Sequence, residues 1–272
     1  MNLALRCVAA LLALFVSLPS AAAQDVKIAA AADLKFAMDD LVAQFEKQSE
    51  TKLDVSYGSS GNFLTQIQNG APFDIFFSAD SNYPKKLEAA GLTEPGTLYE
   101  YAIGRIVIWT PPGSGLDPAA AGWKTLLDER VKKIAIANPD HAPYGRAAVA
   151  ALKNARIYAQ IKSKLVYGEN ISQAAQFVQS GNAQAGIIAL SLALSPAMKN
   201  GNLWQIPQSA YPPLLQAAVL LKSSKNKDAA RKFLDFVKSP AGQETLERYG
   251  FTHPIQASDV LSVPGNSAAL HR

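Results

Sequence analysis

The chain has 272 residues, with 26 Lys and Arg against 22 Asp and Glu, 49% hydrophobic residues, three histidines and one cysteine. A net charge of +4, spread along the chain without a basic run interleaved with aromatics, excludes a nucleic-acid-binding surface. The lone cysteine, Cys7, and three widely separated histidines leave no disulfide and no metal site of ordinary ligand spacing.

Arg6 precedes an apolar run over residues 8–18, and Ser20, Ala21, Ala22 and Ala23 supply small residues for cleavage. Residues 1–23 therefore read as a secretory signal peptide. No later stretch approaches the ~20 apolar residues of a membrane span, so the mature chain is expected to be soluble and periplasmic. Cys7 lies early in the apolar run rather than at the cleavage point, which argues against a lipid-anchored start. Without Arg6 the balance is 25 basic against 22 acidic residues, a charge of +3 that mildly favours anions.

Residues 26–32 form an apolar strand, and Leu34, Met38, Leu41 and Phe45 then follow helical spacing, so the period changes at Asp33. A second strand over 53–57 leads into Gly58-Ser59-Ser60-Gly61. Phe63, Leu64 and Ile67 then mark one apolar face of a short helix that Gly70 ends. Free N–H groups at that helix start, the positive end of its dipole and two serine hydroxyls make an anion site that needs no lysine or arginine. A buried strand over 75–78 and a helix over 83–90, stopped by Gly91, complete the first run.

Residues 101–110 read as one long strand entering the loop Pro111-Pro112-Gly113-Ser114-Gly115, with a second lobe starting near residue 103. There the strand 134–137, the turn 138–145 and the helix 146–154 repeat the earlier pattern. Residues 166–171 form another strand and turn, Glu169-Asn170-Ile171-Ser172 open a helix through 178, and 185–190 is a buried strand. Pro212-Pro213 leads into a strand over 214–221 that returns to the first lobe, followed by helices over 229–237 and 242–249. Residues 253–272, with Pro254, Pro264 and Gly265, are expected to form an extended tail. The alternation predicts an α/β fold of two lobes with a mixed sheet in each and a double crossover between them. The expected units are 24–102 and 215–252 for the first lobe and 103–214 for the second.

Ligands of open α/β sheets lie beyond the carboxyl ends of the strands. Four strand ends lead into turns that start helices: Ala32-Asp33, Ser59-Ser60, Pro143-Tyr144 and Asn170-Ile171. Two belong to each lobe, and they are predicted to converge on one small anion that closure of the lobes would bury.

Together these turns resemble the periplasmic molybdate-binding proteins of ABC importers over residues 26–251. The most specific motifs are Ala30-Ala31-Ala32-Asp33-Leu34, Gly58-Ser59-Ser60-Gly61 with Asn69-Gly70-Ala71-Pro72-Phe73-Asp74, Ala142-Pro143-Tyr144-Gly145, and Arg248-Tyr249-Gly250-Phe251. The resemblance implies a monomeric two-lobe periplasmic-binding-protein-like fold that presents molybdate or tungstate to membrane permease subunits. It implies no cofactor and no catalysis. It also implies that Ser60 donates its hydroxyl and N–H, that Tyr144 and Ile171 donate backbone N–H groups, and that Ala32, Asp33 and Ser59 complete the shell.

Two positions depart from the family pattern. Many members have a tyrosine that reaches the anion from the strand holding Ala189 here, and alanine cannot. Asp33 stands where the family usually has serine, or threonine followed by asparagine. A carboxylate 4 Å from an anion costs about 4 kcal/mol per unit of anion charge at an effective dielectric near 20. Three readings stay open: Asp33 turns away and caps its own helix, it is protonated, or the ligand is a protonated oxyanion such as phosphate, arsenate or phosphite that donates to it.

His141, in a Pro-rich turn beside Asp140, is expected to be a solvated loop histidine. Ser59, Ser60, Asp74 and Asp80 invite a periplasmic hydrolase reading, but Gly58-Ser59-Ser60-Gly61-Asn62 lacks the glycine frame of a nucleophile elbow. No dinucleotide or Walker motif is present.

Overall fold

The computed structural model describes residues 25–254, so the expected signal peptide and all but the first two residues of the expected tail lie outside the described residues. In chain order the strands are β1 (Val26–Ala31), β2 (Leu53–Gly58), β3 (Ile75–Ser78), β4 (Tyr99–Gly104) and β5 (Ile106–Thr110). They continue as β6 (Ile134–Ala137), β7 (Leu165–Gly168), β8 (Ala185–Ala189), β9 (Asn202–Gln205) and β10 (Leu214–Leu220). Two five-stranded sheets result, ordered β2-β1-β3-β10-β4 and β7-β6-β8-β5-β9.

Both sheets are mixed, as the alternating pattern predicted. β1 runs parallel to β2 and β3, while β10 is antiparallel to β3 and β4. β6 is parallel to β7 and β8, while β5 is antiparallel to β8 and β9. The central strands read as continuous apolar runs because both faces are covered by helices. In β3, Phe77 packs with Met38, Leu41 and Phe233 on one face, and its neighbour Phe76 packs with Phe63, Leu64 and Leu87 on the other. Each such side chain, buried from water, contributes roughly 1.5–3 kcal/mol. In the second sheet Ile106, Ile108, Ile134, Ile136, Ile187 and Ile188 form a core with Trp109.

The period change at Asp33 is a true element boundary. β1 ends at Ala31, the three residues Ala32–Leu34 form a tight 3-10 turn, and the helix Lys35–Glu46 buries Ala37, Met38, Leu41 and Phe45. Gly70 and Gly91 take positive φ of 85° and 68° just past the helices Ser60–Gln68 and Asn82–Ala89, where a side chain would be strained.

The single strand expected over 101–110 is two strands in different sheets, broken at Arg105. β4 ends at Gly104, which is packed so closely that a Cβ would collide with the Tyr144 hydroxyl and the Gln216 side-chain amide. The chain thus passes between sheets through one residue, Arg105, and returns between β9 and β10. β9 has no counterpart among the predicted elements. It is a four-residue edge strand of half-buried and exposed residues beside β5.

Candidate functional site

The turns that follow β1, β2, β3, β6 and β7 meet in one cavity between the sheets. Its walls are Ala31, Ala32, Asp33, Gly58, Ser59, Ser60, Ala79, Ala142, Pro143, Tyr144, Asn170 and Ile171, around a space of about 10 Å³. All six sequence-predicted residues, Ala32, Asp33, Ser59, Ser60, Tyr144 and Ile171, are among them. No lysine, arginine or histidine is.

Local sequence leaves amide donors free at three helix starts. Ser59 Oγ accepts from Asn62 N at 3.4 Å and caps the helix Ser60–Gln68, so the Ser60 amide is a first-turn N–H with no intrahelical partner. Ser60 Oγ accepts from Ala79 N at 3.0 Å, which fixes the side chain and leaves its hydroxyl hydrogen to donate elsewhere. Pro143 opens the helix Pro143–Asn154 without an N–H, so the first amide there belongs to Tyr144. Asn170 Oδ1 accepts from Gln173 N at 3.0 Å and caps the helix Ile171–Gln179, leaving the Ile171 amide in the same position as that of Ser60. Dipoles of three helices thus point their positive ends at one small volume.

The Asp33 carboxylate does turn aside, but not to cap its helix: the turn Ala32–Leu34 has no side-chain cap. Asp33 Oδ2 accepts from the Tyr144 hydroxyl at 2.9 Å and from Gln216 Nε2 at 2.7 Å. Gln216 Nε2 also lies 3.1 Å from Tyr144 Oη, and Gln216 Oε1 accepts from the Tyr101 hydroxyl at 2.6 Å. Asp33 is 1% exposed, and its Oδ1 has no hydrogen-bond partner among the described residues. Burial raises its pKa to about 6, against the opposing effect of the hydrogen bonds from Gln216 and Tyr144. The phenols of Tyr144 and Tyr101 are held well above their ordinary range, first by burial and then by the charge of Asp33.

Contacts from one lobe to the other surround the cavity. The Gly61 amide donates to the His141 carbonyl at 3.0 Å, and Ser59 Oγ lies 2.8 Å from His141 Nδ1. Asn62 Nδ2 donates to Glu169 Oε1 at 2.5 Å, and Glu169 Oε2 is 3.6 Å from His141 Nε2. On another side Arg146 spans the lobes to Asp80 Oδ2 at 2.7 Å and to the Tyr83 hydroxyl at 2.9 Å. The two lobes are closed on one another. His141 is therefore not the solvated loop histidine expected from sequence, because Ser59 and Gly61 of the other lobe and Glu169 of its own order it.

Sequence reasoning missed Gln216, Ser172 and Ser191. Ser172 Oγ donates to the Ala32 carbonyl at 2.8 Å and Ser191 Oγ to the Asp33 carbonyl at 2.7 Å, so both hold the first turn from the second lobe. The available signal for Gln216 was a lone amide inside an apolar strand, since it is 0% exposed in β10. A buried amide of that kind requires polar partners. Ser172 follows the predicted Asn170-Ile171 turn and was legible as part of it. Ala189 ends β8 next to the cavity turns, and its methyl group contributes no donor.

Residues 26–252 match the family described as bacterial extracellular solute-binding protein. The molybdate-binding protein ModA of Azotobacter vinelandii is 40% identical over 233 residues, which cover 85% of this chain and 91% of that protein. ModA of Rhodobacter capsulatus is 38% identical, covering 91% and 96%. The solved periplasmic molybdate-binding protein of Azotobacter vinelandii superposes with a TM-score of 0.79 at 34% identity, covering 84% of this chain and 99% of that one. The chain belongs to the bacterial extracellular solute-binding protein family, alongside relatives named for molybdate binding.

Proposed function

We propose that this chain is the periplasmic solute-binding component of an ABC importer, that it captures molybdate in the interlobe cavity, and that tungstate is accepted in the same way. It acts as a monomer that delivers the anion to permease subunits. It is a binding protein and not an enzyme, as its relatives are named molybdate-binding proteins. In this reading the first lobe is 24–102 with 215–252, the second is 103–214, and opening and closing between them is the working cycle.

One observation carries the reading: three helix starts and the Ser60 hydroxyl converge on a cavity with no cationic side chain in its walls. Such a site binds through the number and fit of neutral donors. The amides of Ser60, Tyr144 and Ile171, the Ala32-Asp33 turn and the Ser60 hydroxyl hold the anion, and Ser59 acts through the helix it caps. Selectivity over the smaller sulfate comes from cavity size, since a looser anion lengthens every hydrogen bond at once. A phosphate-type ligand donating to Asp33 is not favoured. The relatives are named for molybdate.

Calorimetric titration of residues 24–272 with molybdate, tungstate, sulfate and phosphate tests this. Saturable one-to-one binding of the first two, with the others far weaker, is expected. Tight binding of sulfate or phosphate, or of no anion, overturns it.

A further inference from the structure

The cavity that accepts an anion has a carboxylate in its wall. Asp33 and the Tyr144 phenol are the only ionisable side chains among the lining residues, and Asp33 has no cationic partner among the described ion pairs. Every element packed on it presents neutral groups: Tyr144 from its helix, Tyr101 from β4, Gln216 from β10, and the Ser191 hydroxyl on its carbonyl oxygen. The nearest formal charges are engaged elsewhere. Lys35 reaches Asp39, Arg105 donates to Gln205, Arg146 holds Asp80, and His141 sits against Ser59 and Glu169 at the rim.

An ionised Asp33 beside a bound oxyanion loses roughly a thousandfold in affinity per unit of anion charge at 4 Å separation. Closure of the lobes removes the water that would screen that repulsion. Two of the structure's features offer a way out: Oδ2 is saturated by Tyr144 and Gln216, whereas the buried Oδ1 is unpartnered and free to carry a proton. We propose that capture of the anion is coupled to uptake of one proton by Asp33, at Oδ1. The proton comes from solvent before the cleft shuts, and the side chain changes from a repelling carboxylate into a neutral carboxylic acid. The inference rests on the oxyanion reading given above.

Burial already holds Asp33 at about 6 against the lowering effect of its hydrogen bonds, and a neighbouring anion raises it further. Linkage sets the sign: a group that binds its proton more tightly in the complex makes binding strongest at low pH and weaker as pH rises, by up to tenfold per unit.

The test is titration of residues 24–272 with molybdate between pH 6.5 and 8.5, in buffers of different ionisation enthalpy, for wild type, Asp33→Asn and His141→Asn. Expected are uptake approaching one proton at pH 7.5, a dissociation constant rising several-fold to tenfold per pH unit, loss of both in Asp33→Asn, and retention of both in His141→Asn. Zero uptake in wild type, or an unchanged pH slope in Asp33→Asn, overturns the coupling while leaving the anion reading intact. A slope that vanishes in His141→Asn but persists in Asp33→Asn assigns the proton to His141 and also overturns it. Absence of binding by every anion in wild type instead overturns the functional reading beneath. Should Asp33→Asn fail to fold, ¹³C carboxyl resonances of wild-type aspartates decide: one that moves to the protonated range on molybdate addition at pH 7.5 supports the coupling, and none moving refutes it.

Discussion

The Tyr144 hydroxyl donates to Asp33 Oδ2 at 2.9 Å, joining residues 111 positions apart from opposite lobes. The bond is buried and made to a carboxylate, so it exists only when the lobes are together. Tyr144→Phe keeps the ring and deletes that bond. A net hydrogen bond contributes about 0.5–1.5 kcal/mol, so the variant should bind molybdate roughly 2- to 10-fold more weakly, as isothermal calorimetry at neutral pH would show. Unchanged affinity would mean that the bond has no part in closure.

Ser60→Ala removes the hydroxyl proposed to hold the anion and also the acceptor of the Ala79 amide at 3.0 Å. Two losses at one position should lower affinity by about 1.5–3 kcal/mol, with a smaller effect on the unliganded protein's melting temperature. Equal binding by the variant would remove Ser60 from the anion shell.

Gly61 meets the His141 backbone so closely that an added Cβ would lie 2.5 Å from the His141 carbonyl oxygen. Gly61→Ala is therefore expected to hold the lobes apart while leaving each core intact. Small-angle scattering should show a larger radius with ligand than the wild type has, and affinity should fall at least tenfold. Contraction equal to wild type would count against tight closure at this point.

Asp33 also makes stability depend on pH. Its folded-state value lies near 6 against an ordinary 3.8, raised by burial, so its contribution is complete below 3.8 and is lost as pH rises through 6. A shift of this size corresponds to about 3 kcal/mol. Asp33→Asn should accordingly melt higher than wild type at pH 8, and the difference should shrink toward zero near pH 4. A constant gap across that range in scanning calorimetry would show that burial does not raise the carboxylate's pKa.

Much of the succession of strands and helices was legible because each parallel strand ends where the apolar period changes, at Asp33, Ser59, Asn138 and Asn170. The cavity walls followed from the same four places, since capping residues and a proline at the first helical position state in local sequence which amides stay free. What stayed hidden depends on partners distant in the chain. The break at Arg105 lies inside an apolar run, and it shows only in the pairing of β4 with β10 and of β5 with β8 and β9. The direction of the Asp33 side chain is set by Gln216, 183 positions away, and no neighbouring residue encodes it. β9 escaped notice because four residues at a sheet edge, half exposed, carry no alternation.

The position of β10 bears on the order in which the molecule assembles. A chain made from its N-terminus has every strand of the second sheet once residue 205 is present, because β5 to β9 are consecutive. The first sheet at that moment has β3 and β4 with nothing hydrogen-bonded between them, since their common neighbour spans Leu214–Leu220. Two strand edges stay open to foreign pairing during that interval. Misassembly is thus a hazard of the first lobe, and the strand that ends it also delivers Gln216 to Asp33, so the anion cavity is completed in the same step that seals the sheet.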